Sequence, residues 1–284
     1  MLDLHAHSNA SDGSLTPTAL VELGAAVGLT ALALTDHDSV SGLAEAARAA
    51  AGTRLRLVPG IELSARMDGG TLHLVGLFVD PDHAAIRECL ADVRRMREER
   101  NDRLVAKLAE AGMPVSLAEA ARLSGGEIVG RPHFAAALIA KGYAADMGEV
   151  FGRILGRGGK AHVFKERRSP EACIASIRAA GGVPILAHPD QTNLEGQALD
   201  ALVARLAGQG LAGIETICSA YTSQRIQDFT RLAARHGLVR SGGSDFHGAP
   251  KPDIRLGRGF GSLRVPDRLF EPLERAAEGI RKNG

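Results

Sequence analysis

The sequence predicts an α/β protein, a barrel of about seven strands interrupted by a helical segment. Three observations predict it. The chain opens in a strand–helix–strand–helix–strand rhythm, which is the mark of a parallel sheet. The same rhythm returns near residue 160 and runs toward the C-terminus. Between the two lies a stretch whose apolar residues recur only at helical spacing. At 284 residues the chain is long enough for a (β/α) barrel carrying an insertion.

The first strand is the apolar run Met1 to Leu4, and it feeds directly into His5-Ala-His7. Residues two apart on a strand share a face, so both imidazoles can aim at one spot. Asp12, in a Ser-Asp-Gly turn, can fold a carboxylate back toward them. Thr16-Pro17 reads as an N-cap followed by proline at the first helical position, with Gly28 as terminator. Leu29 to Thr35 is a buried strand ending in Asp36-His37-Asp38. A helix from Ser41 to Ala51 leads to a strand from Arg54 to Ser64.

Glu62 to His73 then reads as a hairpin turning at Asp68-Gly69. If Met67 pairs with Gly70, Ser64 lies opposite His73 and Glu62 opposite Val75. Glu62 and His73 become diagonal neighbours, roughly 7 Å apart at the backbone. From Asp82 to about Gly159 the pattern is helical. It comprises a long charged helix from Ala84 to Ala111, a capping box at Ser116-Leu-Ala-Glu119, and a helix opened by Arg131-Pro132-His133 and closed by Gly142. Ser169-Pro170 starts the next helix, which ends at Gly181-Gly182. The strand Val183 to Ala187 runs into His188-Pro189. A helix from Ala198 to Gln209 precedes the strand Gly213 to Cys218. A helix from Thr222 to His236 precedes the strand Leu238 to Ser241, which ends in Gly-Gly-Ser-Asp245-Phe-His247.

Composition narrows the function. Lys plus Arg (34) nearly cancel Asp plus Glu (33), so there is no overall charge to attract a long nucleic acid. With no tryptophan and 4% aromatic residues, a base-stacking platform for single strands is not expected. Cys89, Cys173 and Cys218 are far apart, form no Cys-x-x-Cys pair and sit among apolar neighbours, as reduced buried thiols do. No apolar run approaches ~18 residues, and the histidine pattern begins too early for a signal peptide. A cytoplasmic protein with no membrane association and no obligate protein partner is expected.

His5, His7, Asp12, His37, Glu62, His73, His188, Asp245 and His247 all lie at or just after apolar strands. In a barrel of parallel strands those ends gather on one face. One cation takes about four to six ligands, so this set suits two or three ions sharing a carboxylate. The absence of thiol ligands favours Mn²⁺, Fe²⁺ or Zn²⁺ in a reactive centre over a structural zinc. Arg131 and His133 stand where a helix N-terminus exposes free N–H groups, which suits a phosphate. Arg153, Arg157, Lys160, Lys165, Arg167 and Arg168 form a basic stretch that reads as a solvated face or an anion rim. Lys251-Pro252 follows the last histidine at the mouth. His83, His162 and His236 read as ordinary surface or helix residues. Tyr143, Tyr221 and Phe246 could pack on a base, but core packing is the simpler expectation.

The motifs His5-x-His7 with Ser11-Asp12-Gly13, Thr35-Asp36-His37-Asp38, Gly60-x-Glu62, Ala187-His188-Pro189 and Ser244-Asp245-Phe246-His247 resemble, in order, those of the PHP (polymerase and histidinol phosphatase) family. The resemblance implies a distorted (β/α)₇ TIM-like barrel made of residues 1–82 and 160–284, with residues 83–159 as a small helical insertion capping the active site. It implies a first metal on His5, His7, Glu62 and Asp245. Glu62 would bridge to a second on His73 and His188, and Asp12, His37 and His247 would hold a third. Two or three divalent ions follow, with Mn²⁺ first in line and Fe²⁺ or Zn²⁺ as alternatives. Glu62, Asp245, His247 and His37 would surround a metal-activated hydroxide that attacks phosphorus. The proton donor stays open among His247, His37 and a water.

An Arg-x-His element in a helical insertion is similar to the subgroup of nucleoside 3′,5′-bisphosphate phosphatases and 5′–3′ exoribonucleases, which implies that Arg131 and His133 grip a substrate phosphate. The expected activity is hydrolysis of the 3′-phosphate of a nucleoside 3′,5′-bisphosphate. The alternatives are trimming of short 5′-phosphorylated RNA, histidinol-phosphate hydrolysis, and a catalytically silent metal-binding scaffold.

Overall fold

The computed structural model describes residues 1–123, 129–164 and 166–283. It divides into two compact units, Met1–Leu90 with Arg168–Gly284, and Ala91–Arg167. Lys165 of the basic stretch lies outside the described residues.

In the first unit the chain runs β1 (Leu2–Ala6), α1 (Pro17–Ala26), β2 (Ala31–Leu34), α2 (Leu43–Ala50), β3 (Arg56–Ala65) and β4 (Leu72–Leu77) before leaving through the start of α3 (Ala84–Glu110). The second unit holds the rest of α3, then α4 (Leu117–Arg122), α5 (Arg131–Ala140) and the single turn α6 (Met147–Glu149), which continues as a π-helical turn over Val150–Ile154. The first unit resumes with α7 (Pro170–Ala179), β5 (Val183–Ala187), α8 (Gly196–Gly208), β6 (Gly213–Cys218), α9 (Ser223–Arg235), β7 (Val239–Gly243) and α10 (Phe270–Asn283).

The seven strands follow one another in sheet order β1 to β7. β1, β2 and β3 are parallel, β4 is antiparallel to both β3 and β5, and β5, β6 and β7 are parallel. The sheet curls until its ends meet. The His7 N–H donates to the Phe246 carbonyl and the Asp245 N–H to the His5 carbonyl, both at 2.9 Å, so the segment just past β7 lies along β1. The result is a nearly closed, distorted TIM-like barrel.

Strand alternation sorts side chains into two layers. Leu32, Leu34, Ile61, Leu63, Leu72 and Leu74 face outward and pack under α1, α2 and α7 to α9. Ala31, Ala33, Val58, Val75, Leu77, Val183 and Ile185 face inward. They meet Leu273, Ala277 and Ile280 of α10, a helix whose i, i+4, i+7 spacing buries one face but which the sequence reading did not predict. Glu62 continues the inner face begun by Val58, four residues on. His73 continues that of Val75 in the opposite direction. The inner wall is therefore apolar toward α10 and ligand-bearing at the other end.

One sequence expectation changes here. His5, expected just past the strand Met1 to Leu4, lies within β1, while Glu62 lies within β3 and His73 is the second residue of β4, as the hairpin predicts. His73 still reaches the same end because β4 runs against its neighbours, which places its start beside their finishes. The hairpin register matches expectation, with Ser64 opposite His73 and Glu62 opposite Val75.

Local chemistry accounts for the helix starts. The Thr16 and Ser169 hydroxyls accept the N–H groups of Ala19 and Ala172, each ahead of a proline at the first turn. Ser116 and Glu119 make the expected capping box. In the second unit Leu104, Leu108, Phe134, Leu138, Val150 and Ile154 form a separate core. Arg153 of the basic stretch is paired with Glu149 at 2.6 Å, and Arg168 donates to Ser176 Oγ at 3.4 Å. Tyr143, Tyr221 and Phe246 all pack into apolar clusters, and the three cysteines are buried thiols outside any disulfide. Among the described residues no helix is long and apolar enough to cross a membrane.

Candidate metal centre

At the ligand-bearing end of the barrel, His5, His7, Asp12, His37, Glu62, His73, His188, Asp245 and His247 fall into four overlapping groups. These are His7, Asp12, His37 and His247; His5, His7 and Asp245; His5, Glu62 and His188; and His37, Glu62 and His73. Within each group the ligand atoms lie within 4.8 Å of one another.

Glu62, fully buried, stands at the hub. Its Oε1 lies 2.9 Å from His73 Nδ1 and 2.9 Å from His188 Nε2. Its Oε2 lies 3.1 Å from His5 Nε2, 3.2 Å from His7 Nε2 and 3.1 Å from His37 Nδ1. Asp245 Oδ1 is 3.3 Å from His7 Nε2, while its Oδ2 accepts from Lys251 Nζ at 2.7 Å. Asp12, half-exposed, lies 3.3 Å from His247 Nε2.

Apart from His188 Nε2 to Glu62 Oε1 and Lys251 Nζ to Asp245 Oδ2, these short contacts are not aligned as hydrogen bonds. His5 Nε2, both nitrogens of His7, His37 Nδ1, His73 Nδ1, His188 Nδ1 and Glu62 Oε2 are buried without a hydrogen-bond partner. Buried polar atoms are rarely left so, and here lone pairs converge where no donor is aligned. An imidazole and carboxylate donor set of this kind fits divalent cations.

Two ligands have unusual backbones. His188 (φ 24°) and Asp245 (φ 55°) lie in the left-handed region, where non-glycine residues are strained and functional residues concentrate. Gly243 supplies the close approach, because a Cβ there would sit 2.5 Å from His5 N.

The electrostatics reflect crowding. Burial would depress the His7 imidazole, but the adjacent Asp245 and Glu62 carboxylates raise it to about 9. His5 and His188 are also raised, each against its own burial, chiefly by the Glu62 charge or a hydrogen bond to it. Burial lowers His37 to about 3, with the Glu62 charge opposing and His7 and His73 adding to the fall. Burial opposes ionisation of Glu62, Asp245 and Asp12, yet the surrounding histidines hold all three well below the carboxylate range.

Several partners escaped the sequence reading. Asp36 accepts from Ser8 N, Ser8 Oγ and Ser11 Oγ, which pins the turn that carries Asp12. Asp3 accepts from Ser244 N, Ser244 Oγ and Gly257 N behind Asp245. Glu215 of β6 contacts His5 and His188. Their shared signal is a lone acid inside or at the end of an apolar strand.

In the second unit, Arg131 and His133 occupy the first turn of α5, as expected. The Gly130 N–H donates to His133 Nδ1 at 3.0 Å, which places the proton of the neutral ring on Nε2, and burial lowers this imidazole. Asn101 Nδ2 donates to the Val129 carbonyl at 3.1 Å, which brings α3 against the start of α5. The adjacent Arg100 is buried, its Nε has no partner, and burial with neighbouring Arg97 and Arg131 lowers it to about 10. Arg100 had no motif to reveal it, since it is one of many charges on a polar helix.

The PHP domain family matches residues 3–84. The 3′,5′-nucleoside bisphosphate phosphatase of Chromobacterium violaceum is 37% identical over 278 residues, covering 98% of this chain and 96% of that protein. The 5′-3′ exoribonuclease of Haemophilus influenzae is 38% identical over 256 residues, covering 90% and 93%. A crystal structure assigned to a metal-dependent phosphoesterase of Bifidobacterium adolescentis superposes with a TM-score of 0.77 at 30% identity, covering 97% and 96%. With a barrel end lined by histidine and carboxylate ligands and similarity of this extent, the chain belongs to the PHP family of metal-dependent phosphoesterases.

Proposed function

We propose that this phosphoesterase hydrolyses the 3′-phosphate of nucleoside 3′,5′-bisphosphates. One observation carries the reading: the similarity to the Chromobacterium violaceum phosphatase runs over 98% of the chain, through both the ligand motifs and the helical unit. The ligands divide as His5, His7, Glu62 and Asp245 for one ion, Glu62, His73 and His188 for a second, and Asp12, His37 and His247 for a third, with Mn²⁺ as the ion. The first unit, Met1–Leu90 with Arg168–Gly284, would supply the hydrolytic barrel, and the second, Ala91–Arg167, the grip on substrate.

Divalent cations held there would acidify a water and offset charge on the phosphoryl oxygens. The protein's own residues do the rest. Glu62 divides its two oxygens between two sets of histidines and keeps them in fixed relation. His37, held neutral, offers a lone pair and not a proton at neutral pH. His247 Nδ1 lies 2.9 Å from the Asp245 carbonyl, so Nδ1–H donates there and Nε2 is aimed at Asp12. Arg131 and His133, with Arg100 beside them, hold the phosphate that does not react and so orient the one that does.

A second reading is 5′–3′ trimming of short RNA, favoured by the 38% identity to the Haemophilus influenzae exoribonuclease. One assay separates them. The protein with Mn²⁺ is given adenosine 3′,5′-bisphosphate in one tube and a short 5′-phosphorylated RNA in another. Phosphate release with little trimming supports the bisphosphatase. Mononucleotides without free phosphate overturn it in favour of the exonuclease.

A further inference from the structure

Glu215 is an ionisable residue in the middle of an apolar strand, Gly213–Cys218, and is 2% exposed. A buried carboxylate is costly unless its oxygens find donors. The two oxygens of Glu215 go to two different ligand motifs. Oε1 lies 3.1 Å from His5 Nδ1, and Oε2 accepts the His188 backbone N–H at 2.8 Å.

A carboxylate can only accept, so the shared proton sits on His5 Nδ1. A neutral imidazole then carries a bare electron pair on Nε2, the atom that lies 3.1 Å from Glu62 Oε2, 3.7 Å from Asp245 Oδ1 and without a hydrogen bond. The second oxygen steadies His188 at its left-handed backbone, where β5 ends and the imidazole turns to Glu62. The β6–β7 register shifts between Glu215 and Ile217.

The geometry points to Glu215 as a positioning residue for the metal centre, one carboxylate that sets the tautomer of His5 and the backbone of His188 so that both present nitrogen lone pairs to cations. It touches neither substrate nor cation. It rests on the metal reading of the cluster and not on the choice of substrate.

The test is metal affinity. Glu215→Gln keeps the size but has a single acceptor oxygen, so either His5 Nδ1–H or His188 N–H loses its partner. Metal-free wild type and variant are titrated with Mn²⁺ calorimetrically, and their metal-free melting temperatures are compared. The expected result is ~10–100-fold weaker binding of at least one ion, as for other outer partners of metal-bound histidine, with the metal-free melting temperature little changed. Wild-type affinity in the variant overturns the proposal. So does a variant that loses metal-free stability but, once folded, binds Mn²⁺ normally. If wild type itself binds no Mn²⁺, the metal reading has failed instead. A second measurement needs no variant: in zinc-loaded wild type, the nitrogen-15 shifts of His5 should show Nε2 on the metal and Nδ1 protonated. Coordination through Nδ1 overturns the assignment.

Discussion

His73 Nδ1 lies 2.9 Å from Glu62 Oε1 across an antiparallel ladder in which the two residues are diagonal neighbours, Glu62 facing Val75 and His73 facing Ser64. One hairpin thus supplies both a bridging carboxylate and one of its histidines. Glu62→Gln keeps the shape but removes the charge that several imidazoles share. Activity should fall by more than the ~10–100-fold typical of outer-shell changes, with bound metal lost in parallel. Metal analysis after dialysis checks it; an inactive variant with full metal content would contradict the role of Glu62 as a ligand.

Arg131 makes a selective prediction. Charge-assisted hydrogen bonds contribute about 1.5–3 kcal/mol, so Arg131→Ala should cost roughly 10–100-fold in kcat/KM on a 3′,5′-bisphosphate. A simple aryl phosphate has no second phosphate to hold, and its hydrolysis should be nearly unaffected. Equal losses on both substrates would remove Arg131 from substrate recognition.

The metal-free protein should be most stable near pH 6.5. His7 is raised from 6.5 to about 9, so the fold binds that proton more tightly than the unfolded chain does. Its contribution is complete below pH 6.5 and disappears as pH rises through 9. His37 is lowered from 6.5 to about 3, so its contribution is complete above pH 6.5 and disappears as pH falls toward 3. Denaturant titrations across pH 4–10 in chelator test this. Because cations displace the same protons, metal should also bind more tightly as pH rises.

Gly243→Ala tests the closure of the barrel. The added Cβ would lie 2.4 Å from His5 Cβ and 2.5 Å from His5 N, and backbone cannot swing aside as a flexible side chain can. Overpacking of this kind costs about 1–3 kcal/mol, and the displaced residue here is a metal ligand. Both melting temperature and Mn²⁺ affinity should drop. A stable variant with normal affinity would mean that β1 and β7 slide apart without consequence.

Lys251 bonds the outer oxygen of Asp245, 2.7 Å away, while the inner oxygen faces His7. Lys251→Met should weaken Mn²⁺ binding by less than Glu215→Gln does, because Lys251 is partly exposed and exposed pairs contribute only ~0–1 kcal/mol. Calorimetric titration of both variants ranks them.

The ligand motifs were legible because each sits on a strand whose apolar run can be read locally. His5 and His7 share a strand face, Asp12 sits in a turn, and Asp245 and His247 follow glycines. The Glu62–His73 pairing was legible too, since a two-residue turn sets the register of a hairpin. The left-handed backbones of His188 and Asp245 were not, because neither residue type demands that conformation. The supporting roles of Glu215, Asp3 and Asp36 were not legible either, for a related reason. A lone acid in an apolar strand has no spacing rule, and its partners lie up to about 250 residues away.

The sequence by itself determined the order of the elements, the ligand types and the strand ends that carry them, since propensity, alternation and turn chemistry act within a few residues of chain. Only the tertiary structure decided that β4 also runs against β5, that α10 packs against the apolar inner wall, and that Glu62 faces five histidines from four other segments. Those outcomes follow from closing a sheet on itself, which brings together residues from both ends of the chain and gives a buried carboxylate the partners that no local pattern could specify.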